Sequence, residues 1–362
     1  MRIAVLHTRL SGYMAASLRA LKRQTECKLL IYCWPNQPDA PFDMAQFEDL
    51  GDIFDRTAST PAGIHSRVSK FQPDAVLTSG WADKGYIRVC RRLKAIGIPI
   101  IAGCDAQWRG SLKQTIARYT APLHINRAIS ALWVTGERQA IYGRYLGYSG
   151  SNLWDGYYAC DRARFDTGNR LGGPGDSNTV DPYFLFVGRY ASEKGIDILA
   201  EAYQQYSSST SAPWRLVCAG AGPLGRRLLN AGAEDLGFMQ PAQLPRLMQN
   251  AGGFVLPSSY EPWGVVAQEA AASGLPLILS DEVGAGVHLL RDGLNGLKFP
   301  SGDAGALSNC LTRLHNTSWE KRLEMSRHSE AFSKQYTPEN WADTLINGLD
   351  VLRNQNKKHD NA

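Results

Sequence analysis

The stretch Pro257 to Pro276, PSSYEPWGVVAQEAAASGLP, constrains the fold of this chain more than any other. A short apolar run, Gly253-Phe254-Val255-Leu256, precedes it and reads as a buried strand bounded by Pro257. Ser258 and Ser259 open a turn, and Pro262, with a preset φ and no N–H to lose, suits the first turn of a helix. Gly264 lets the backbone come close to a docked group. Val265 to Ser273 continues as an alanine-rich helix, stopped by Gly274 and Pro276. A strand, a glycine-containing loop and a helix N-terminus in that order offer unpaired N–H groups and roughly half a positive charge, a site for an anion such as phosphate.

Two glutamates bracket this site. Seven residues separate Glu261 from Glu269. That is close to two helical turns, so both can lie on one side of the element. Glu269 stands among Ala267, Ala270, Ala271 and Ala272, where a charge is costly to bury without a partner. The pattern P-S-x-x-E-x-x-G-x-x-x-x-E-A-x-A-x-G-x-P resembles the signature of retaining glycosyltransferases of the GT-B fold, family 4 in particular. It places about ten positions in order, which makes the resemblance specific.

Other segments of the second half agree with it. Tyr183 to Val187 reads as an apolar strand, followed by Gly188-Arg189-Tyr190-Ala191-Ser192-Glu193-Lys194-Gly195, similar to the family's G-R-x-x-x-x-K-G. Two cations in one such loop can converge on a diphosphate, the arginine as a planar fork and the lysine as a point charge. The strand Trp214 to Ala219 leads into Gly220-Ala221-Gly222-Pro223, and Gly237-Phe238-Met239 forms a short turn where family members contact the nucleotide base.

At 362 residues the chain suits two domains rather than one. Its net charge of +5 is too small to imply nucleic-acid binding. Seven cysteines without a CxxC pair read as reduced thiols of a cytoplasmic protein, not as a disulfide framework or zinc site. Apolar runs stay well short of the ~20 residues of a transmembrane helix. The start, Met1 to His7, lacks the apolar core of a signal peptide and reads as a first strand.

That first strand meets the loop Thr8 to Gly12, and a helix is expected from about Met14 to Lys22. Cys27 to Trp34, Asp74 to Thr78 and Ile98 to Ala102 read as further strands, while residues 35–60 give a weak signal. Strands alternating with helices imply a parallel sheet covered on both faces. Ligands of such sheets collect at the carboxyl ends of the strands, where Gly12, Trp81 and Asp105 fall. Each of these also has a plain structural reading, as a turn glycine, a capping aromatic and a helix N-cap. Asp105 stands where family members often have a histidine, and His7 is a poor substitute for it.

The fold class expected is therefore α/β, a GT-B arrangement of two Rossmann-like doubly wound domains facing a central cleft. An N-terminal acceptor-side domain would span 1–166, a glycine-rich polar linker 167–181, and a nucleotide-sugar domain 182–330. A C-terminal helix within 331–362 would cross back to the first domain. The resemblance covers residues 183–300 well and residues 1–165 mainly by strand order.

The resemblance also implies a division of labour. Glu261, Arg189, Lys194 and Asp105 would be the catalytic residues, with Arg189 and Lys194 taking the charge of the departing phosphate. Gly12, Gly188, Arg189, Lys194, Gly220, Gly222, Phe238, Met239, Glu261, Pro262, Trp263, Gly264, Val265, Val266 and Glu269 would hold the donor, Glu261 at the sugar hydroxyls and Glu269 at the ribose. The donor would be a nucleoside-diphosphate sugar whose base, UDP, GDP or ADP, stays open. The anomeric configuration would be retained. No two aspartates are spaced D-x-D, so no metal is expected.

The acceptor implied is a glycan or a lipid-linked sugar, as in cell-surface polysaccharide synthesis. A GT-B epimerase or a non-catalytic sugar-nucleotide binder would share most of these residues. A nicotinamide oxidoreductase is disfavoured because no G-x-G-x-x-G follows the first strand. Residues 84–127 carry Lys84, Arg88, Arg91, Arg92, Lys94, Arg109, Lys113, Arg118 and Arg127 against one acid, Asp105. That balance suits either a solvated helix face or peripheral contact with an anionic membrane at its cytoplasmic side.

Overall fold

A computed structural model describes residues 1–35, 44–166 and 181–360, which form two compact units. The expected linker at 167–181 lies, but for Asp181, outside the described residues. The first unit comprises residues 1–37, 41–159 and 338–362, and the second chiefly 160–337.

The first unit is built on seven parallel strands: β1 (Arg2–His7), β2 (Lys28–Cys33), β3 (Asp52–Asp55), β4 (Ala75–Thr78), β5 (Ile100–Cys104), β6 (Ala131–Val134) and β7 (Leu153–Trp154). Their spatial order is β3-β2-β1-β4-β5-β6-β7. The second unit has six: β8 (Tyr183–Val187), β9 (Arg215–Ala219), β10 (Glu234–Asp235), β11 (Gly253–Leu256), β12 (Leu277–Ser280) and β13 (Gly296–Phe299), in the order β10-β9-β8-β11-β12-β13. Parallel neighbours need a crossover, so helices cover both faces and the central strands are buried on both sides. The sequences AVLT of β4, GFVL of β11 and LILS of β12 are accordingly buried throughout.

The edge strands explain what the sequence pattern does not reveal. β10 is the exposed dipeptide Glu-Asp, β7 is two residues long, and β3 is DIFD with both aspartates exposed. Short, polar edges lack the apolar run that marks a central strand. Strand β5 also runs two residues further than expected, to Cys104, and the first helix starts at Gly12 rather than Met14 because Ser11 caps it.

The boundary between units differs from the expected one. Cys160 to Asp166 belongs to the second unit, because the short helix Arg162–Phe165 packs on the helix Val265–Ala272. At the other end, 331–337 also belongs to the second unit, and the helix Pro338–Asp360 belongs to the first. That helix lies along Gly12–Thr25 and contributes Trp341, Ala342, Leu345, Leu349 and Leu352 to the core. Trp341 stacks on Trp133 at 4.7 Å and its Nε1–H donates to the Tyr157 carbonyl at 2.9 Å. Gly348 leaves room for Trp154, whose Cζ2 would stand 2.4 Å from an added Cβ. All seven cysteines are buried free thiols.

Trp341 is buried, stacked and hydrogen-bonded at once. Trp341→Ala is expected to cost the first unit about 3–5 kcal/mol, the range for a large core aromatic. Urea unfolding checks this, and a loss below ~1 kcal/mol would show that the helix is not held through this residue.

Candidate active site

Three loops leave the carboxyl ends of β8, β9 and β11. β8 lies between β9 and β11, where the direction of strand addition reverses, and open α/β sheets bind ligands at such points. The loops meet by backbone. A Cβ on Gly220 would sit 1.9 Å from the Gly188 carbonyl oxygen, and one on Gly195 (φ +70°) 2.1 Å from that of Pro257. Side chains other than hydrogen cannot enter either place. Ser259 N–H donates to the Glu193 carbonyl at 2.9 Å, and Gly220 N–H to that of Gly237 at 2.8 Å. The last bond sets the turn carrying Phe238 and Met239 beside the Gly220–Gly222 loop.

The loop after β11 is anchored from the other side too. Gly284 N–H donates to the Glu261 carbonyl at 2.9 Å, and Ala285 N–H to that of Trp263 at 2.8 Å. Gly264 (φ +98°) then caps the helix Val265–Ala272, and no side chain caps its first turn. Ala267 N–H donates to the Gly264 carbonyl at 2.9 Å, and the Val265 and Val266 N–H groups lead the helix with the positive end of its dipole behind them.

Glu261 is buried, and Lys194 Nζ donates to its Oε2. Ser258 Oγ donates to the same oxygen at 3.4 Å. The two side chains of the pair keep only 18% and 10% exposure, so the ions are largely withdrawn from water. Arg189 is more exposed and bonds Glu193 at 2.7 Å. The two cations expected to converge on one anion thus each hold a carboxylate here.

Glu269 is half-buried within the helix Val265–Ala272. Burial raises its pKa from 4.5 to about 8, with Arg164 opposing the shift and Asp161 adding to it. The two glutamates therefore meet different partners: Glu261 sits ahead of the helix on Lys194, and Glu269 faces the segment 160–166. Trp263, one of the residues expected to bind the donor, has an enclosed indole. It is buried, packed against His288 and Tyr336 at 5.5 Å each, which leaves only its backbone for a ligand.

The remaining predicted residues, Gly12 and Asp105, lie in the first unit. Gly12 opens a helix capped by Ser11, whose Oγ accepts from Met14 N–H at 3.5 Å. The exposed Asp105 follows β5 and accepts from Tyr158 Oη–H at 2.9 Å, while Gln139 Nε2 donates to its carbonyl at 3.2 Å. His7, at the end of β1, is fully enclosed: Nδ1 lies 2.6 Å from the Arg9 carbonyl and Nε2 3.0 Å from Tyr157 Oη. Burial pushes its pKa down to about 4. With the proton of a neutral ring on Nδ1, that nitrogen would donate to the Arg9 carbonyl and Nε2 would accept from Tyr157 Oη–H.

Tyr157 also lies over Gly103, where a Cβ would stand 2.0 Å from its ring. Tyr157 and Tyr158 were not legible as site-forming residues, because they follow a two-residue edge strand.

Residues 174–332 match the model of the family described as glycosyl transferases group 1. The matched segment falls on the second unit. D-inositol 3-phosphate glycosyltransferase of Acidothermus cellulolyticus is 32% identical over 201 residues, 51% of this chain and 42% of that protein. O-antigen chain mannosyltransferase C of Escherichia coli is 28% identical over 177 residues, 46% of each chain. The chain spans less than half the length of these curated relatives.

Over the whole chain the fold is that of GT-B structures. Anabaena HepE, solved in complex with UDP, superposes with a TM-score of 0.74 at 17% identity, covering 97% of this chain and 100% of that one. Sucrose-phosphate synthase of Thermosynechococcus elongatus gives 0.70 at 18% identity, covering both chains fully. The segment matched by the family model includes all three site loops.

The raised pKa of Glu269 sets a pH dependence. Between about 4.5 and 8 the folded domain keeps a proton that the unfolded chain has released, so stability falls as pH rises through that window. Glu269→Gln is expected to flatten this part of the Tm-against-pH curve and to melt above wild type at its alkaline end. An unchanged slope would show that Glu269 is already ionised in the folded state.

Proposed function

We propose that this protein is a retaining, metal-independent glycosyltransferase of family 4. It moves a hexosyl unit from a nucleoside-diphosphate sugar to a hydroxyl of a glycan or lipid-linked acceptor. The observation that carries the reading is the desolvated Lys194–Glu261 pair, set beside an uncapped helix N-terminus where three glycine-lined loops meet. A cation and free N–H groups suit a diphosphate, and an adjacent buried carboxylate suits sugar hydroxyls.

In the proposed reaction the bond between the anomeric carbon and the β-phosphate oxygen breaks as a bond to the acceptor oxygen forms. The acceptor's proton passes to the departing phosphate, and attack comes on the face the phosphate leaves. Negative charge grows on that phosphate in an oxocarbenium-like state. Lys194, Arg189 and the N–H groups following Gly264 take up this charge, the role a divalent cation plays elsewhere. As the diphosphate draws on Lys194, Glu261 is released to hold and orient the sugar. Glu269 accepts from the ribose, and Asp105 replaces the family histidine on the acceptor side.

The names of several relatives support a place in cell-surface polysaccharide synthesis, as for the E. coli O-antigen mannosyltransferases. A cytoplasmic enzyme with peripheral contact to an anionic membrane through residues 84–127 belongs to the same reading. No helix among the described residues is long and apolar enough to cross a membrane.

The two glutamates carry different expected outcomes. Glu269→Ala should weaken the bare nucleoside diphosphate by up to about tenfold, since each hydrogen bond of a neutral carboxyl contributes about 0.5–1.5 kcal/mol. Glu261→Ala should leave diphosphate affinity nearly unchanged while turnover collapses, because the lost contact orients the reacting carbon. Calorimetry with UDP, GDP and ADP beside a transfer assay separates the two, and equal loss of affinity in both variants would overturn the assignment. Transfer should persist in excess EDTA. Turnover of labelled donor without any acceptor, to an epimeric product, would replace transfer by epimerisation.

A further inference from the structure

The helix Leu112–Thr120 is amphipathic in the reverse sense. A helix packed on a protein normally turns its apolar stripe inward. Here none of its nine residues is buried, and Leu112, Ile116 and Tyr119 are 80%, 58% and 73% exposed. Their spacing places them on one face. The opposite face, with Ala117 and then Ala121, is the one that meets the core of the first unit. Leu123, in the short turn that follows, extends the apolar stripe at 54% exposure.

Cations border this stripe. Lys113 projects on one side and Arg118 on the other, both exposed, with exposed Arg127 beyond the turn. Arg118 is braced over the Tyr145 ring at 4.5 Å. Between Asp105 and Glu137 the sequence has no acidic residue. Lys94, by contrast, is not part of the surface expected over 84–127: its Nζ donates to the Asn126 and Ile129 carbonyls at 2.7 and 2.6 Å.

We propose that the helix Leu112–Thr120 is an interfacial wedge, which inserts Leu112, Ile116, Tyr119 and Leu123 among the acyl chains of an anionic membrane. An exposed apolar face flanked by cations, in a stretch with no acid between Asp105 and Glu137, is the arrangement that binds in the plane of an anionic bilayer. Cations alone give a contact that salt dissolves, each contributing weakly near the surface. Buried apolar area makes the contact resistant to salt. The inference rests on the peripheral-membrane part of the functional reading and is independent of the transfer reaction.

The test is flotation of the full chain with vesicles of phosphatidylglycerol and phosphatidylcholine, or of phosphatidylcholine alone, at low and high salt. The unmodified protein should float with anionic vesicles at low salt and keep a measurable fraction bound at high salt. Leu112→Ser/Ile116→Ser/Tyr119→Ser should lower partitioning about tenfold or more at both salts, since apolar burial drives insertion. Lys113→Gln/Arg118→Gln should lose binding chiefly at low salt. The substituted positions are exposed, so unchanged circular dichroism is expected for both variants, with at most a small fall in Tm where Arg118 leaves the Tyr145 ring.

Binding that is abolished by salt and unaffected by the triple serine variant would overturn the wedge while leaving a purely electrostatic contact. No binding to anionic vesicles at any salt would overturn both. A wild-type oligomer in sedimentation that the triple variant dissociates, without vesicle binding, would assign the face to a second copy instead.

Discussion

The candidate site depends on three backbones coming closer together than side chains allow. The Gly220 Cα lies against the Gly188 carbonyl, and the Gly195 Cα against the Pro257 carbonyl, at distances that exclude even a methyl group. These contacts draw the loops after β8, β9 and β11 into one place, and they position Lys194 over Glu261. The requirement is steric and local, so it leaves a sharp trace in sequence: glycines at fixed offsets from apolar strands. Strand order adds the second condition. Only at the point where β8 has neighbours acquired in opposite directions do adjacent loops diverge enough to leave room for a ligand.

Within that frame the two glutamates illustrate how environment separates like groups. Glu261 lies next to a cation and a hydroxyl, so its charge has partners despite burial. Glu269 faces Arg164 at a distance but also Asp161, and burial dominates, raising its pKa to about 8. Near neutral pH such a group is mostly a neutral carboxyl, able to donate one hydrogen bond and accept another. That capacity suits a sugar hydroxyl, which is itself both donor and acceptor. A buried ion pair contributes little stability by itself once desolvation is counted. The Lys194–Glu261 pair is therefore weak evidence of a brace for the fold.

Much of the second unit was legible in the sequence because its central strands and loops obey strict local rules. Strands β8 and β11 are continuous apolar runs, and their boundaries were readable to the residue. The pairing of Lys194 with Glu261 was not, since it spans 67 positions in the chain and depends on the Gly195–Pro257 approach. The burial of Trp263 was equally hidden, because the indole lies between His288 and Tyr336 from distant segments. In the first unit the arrangement around His7 escaped notice for the same reason. Tyr157 reaches it across 150 positions from a region whose edge strand has only two residues. The membership of Cys160–Asp166 in the second unit follows from tertiary packing on the helix Val265–Ala272, which composition cannot show.

The basic segment marks a different limit. Counting cations over 84–127 treats the segment as one surface, yet its members do different things. Lys94 ties down two carbonyls, and Arg118 stacks on Tyr145, while Lys113 remains exposed. The informative signal is the phase of the apolar residues relative to the face that packs. Leu112, Ile116 and Tyr119 have the spacing of a buried stripe, and by periodicity alone that pattern predicts burial. Only the position of Ala117 and Ala121 against the core shows that the stripe points outward. Small residues inside and large apolar ones outside invert the energetic preference of a soluble surface, at a cost that folding in water does not recover. An inverted helix of this kind is stabilised when a second apolar phase covers it, and the surrounding cations bias that phase toward negative charge.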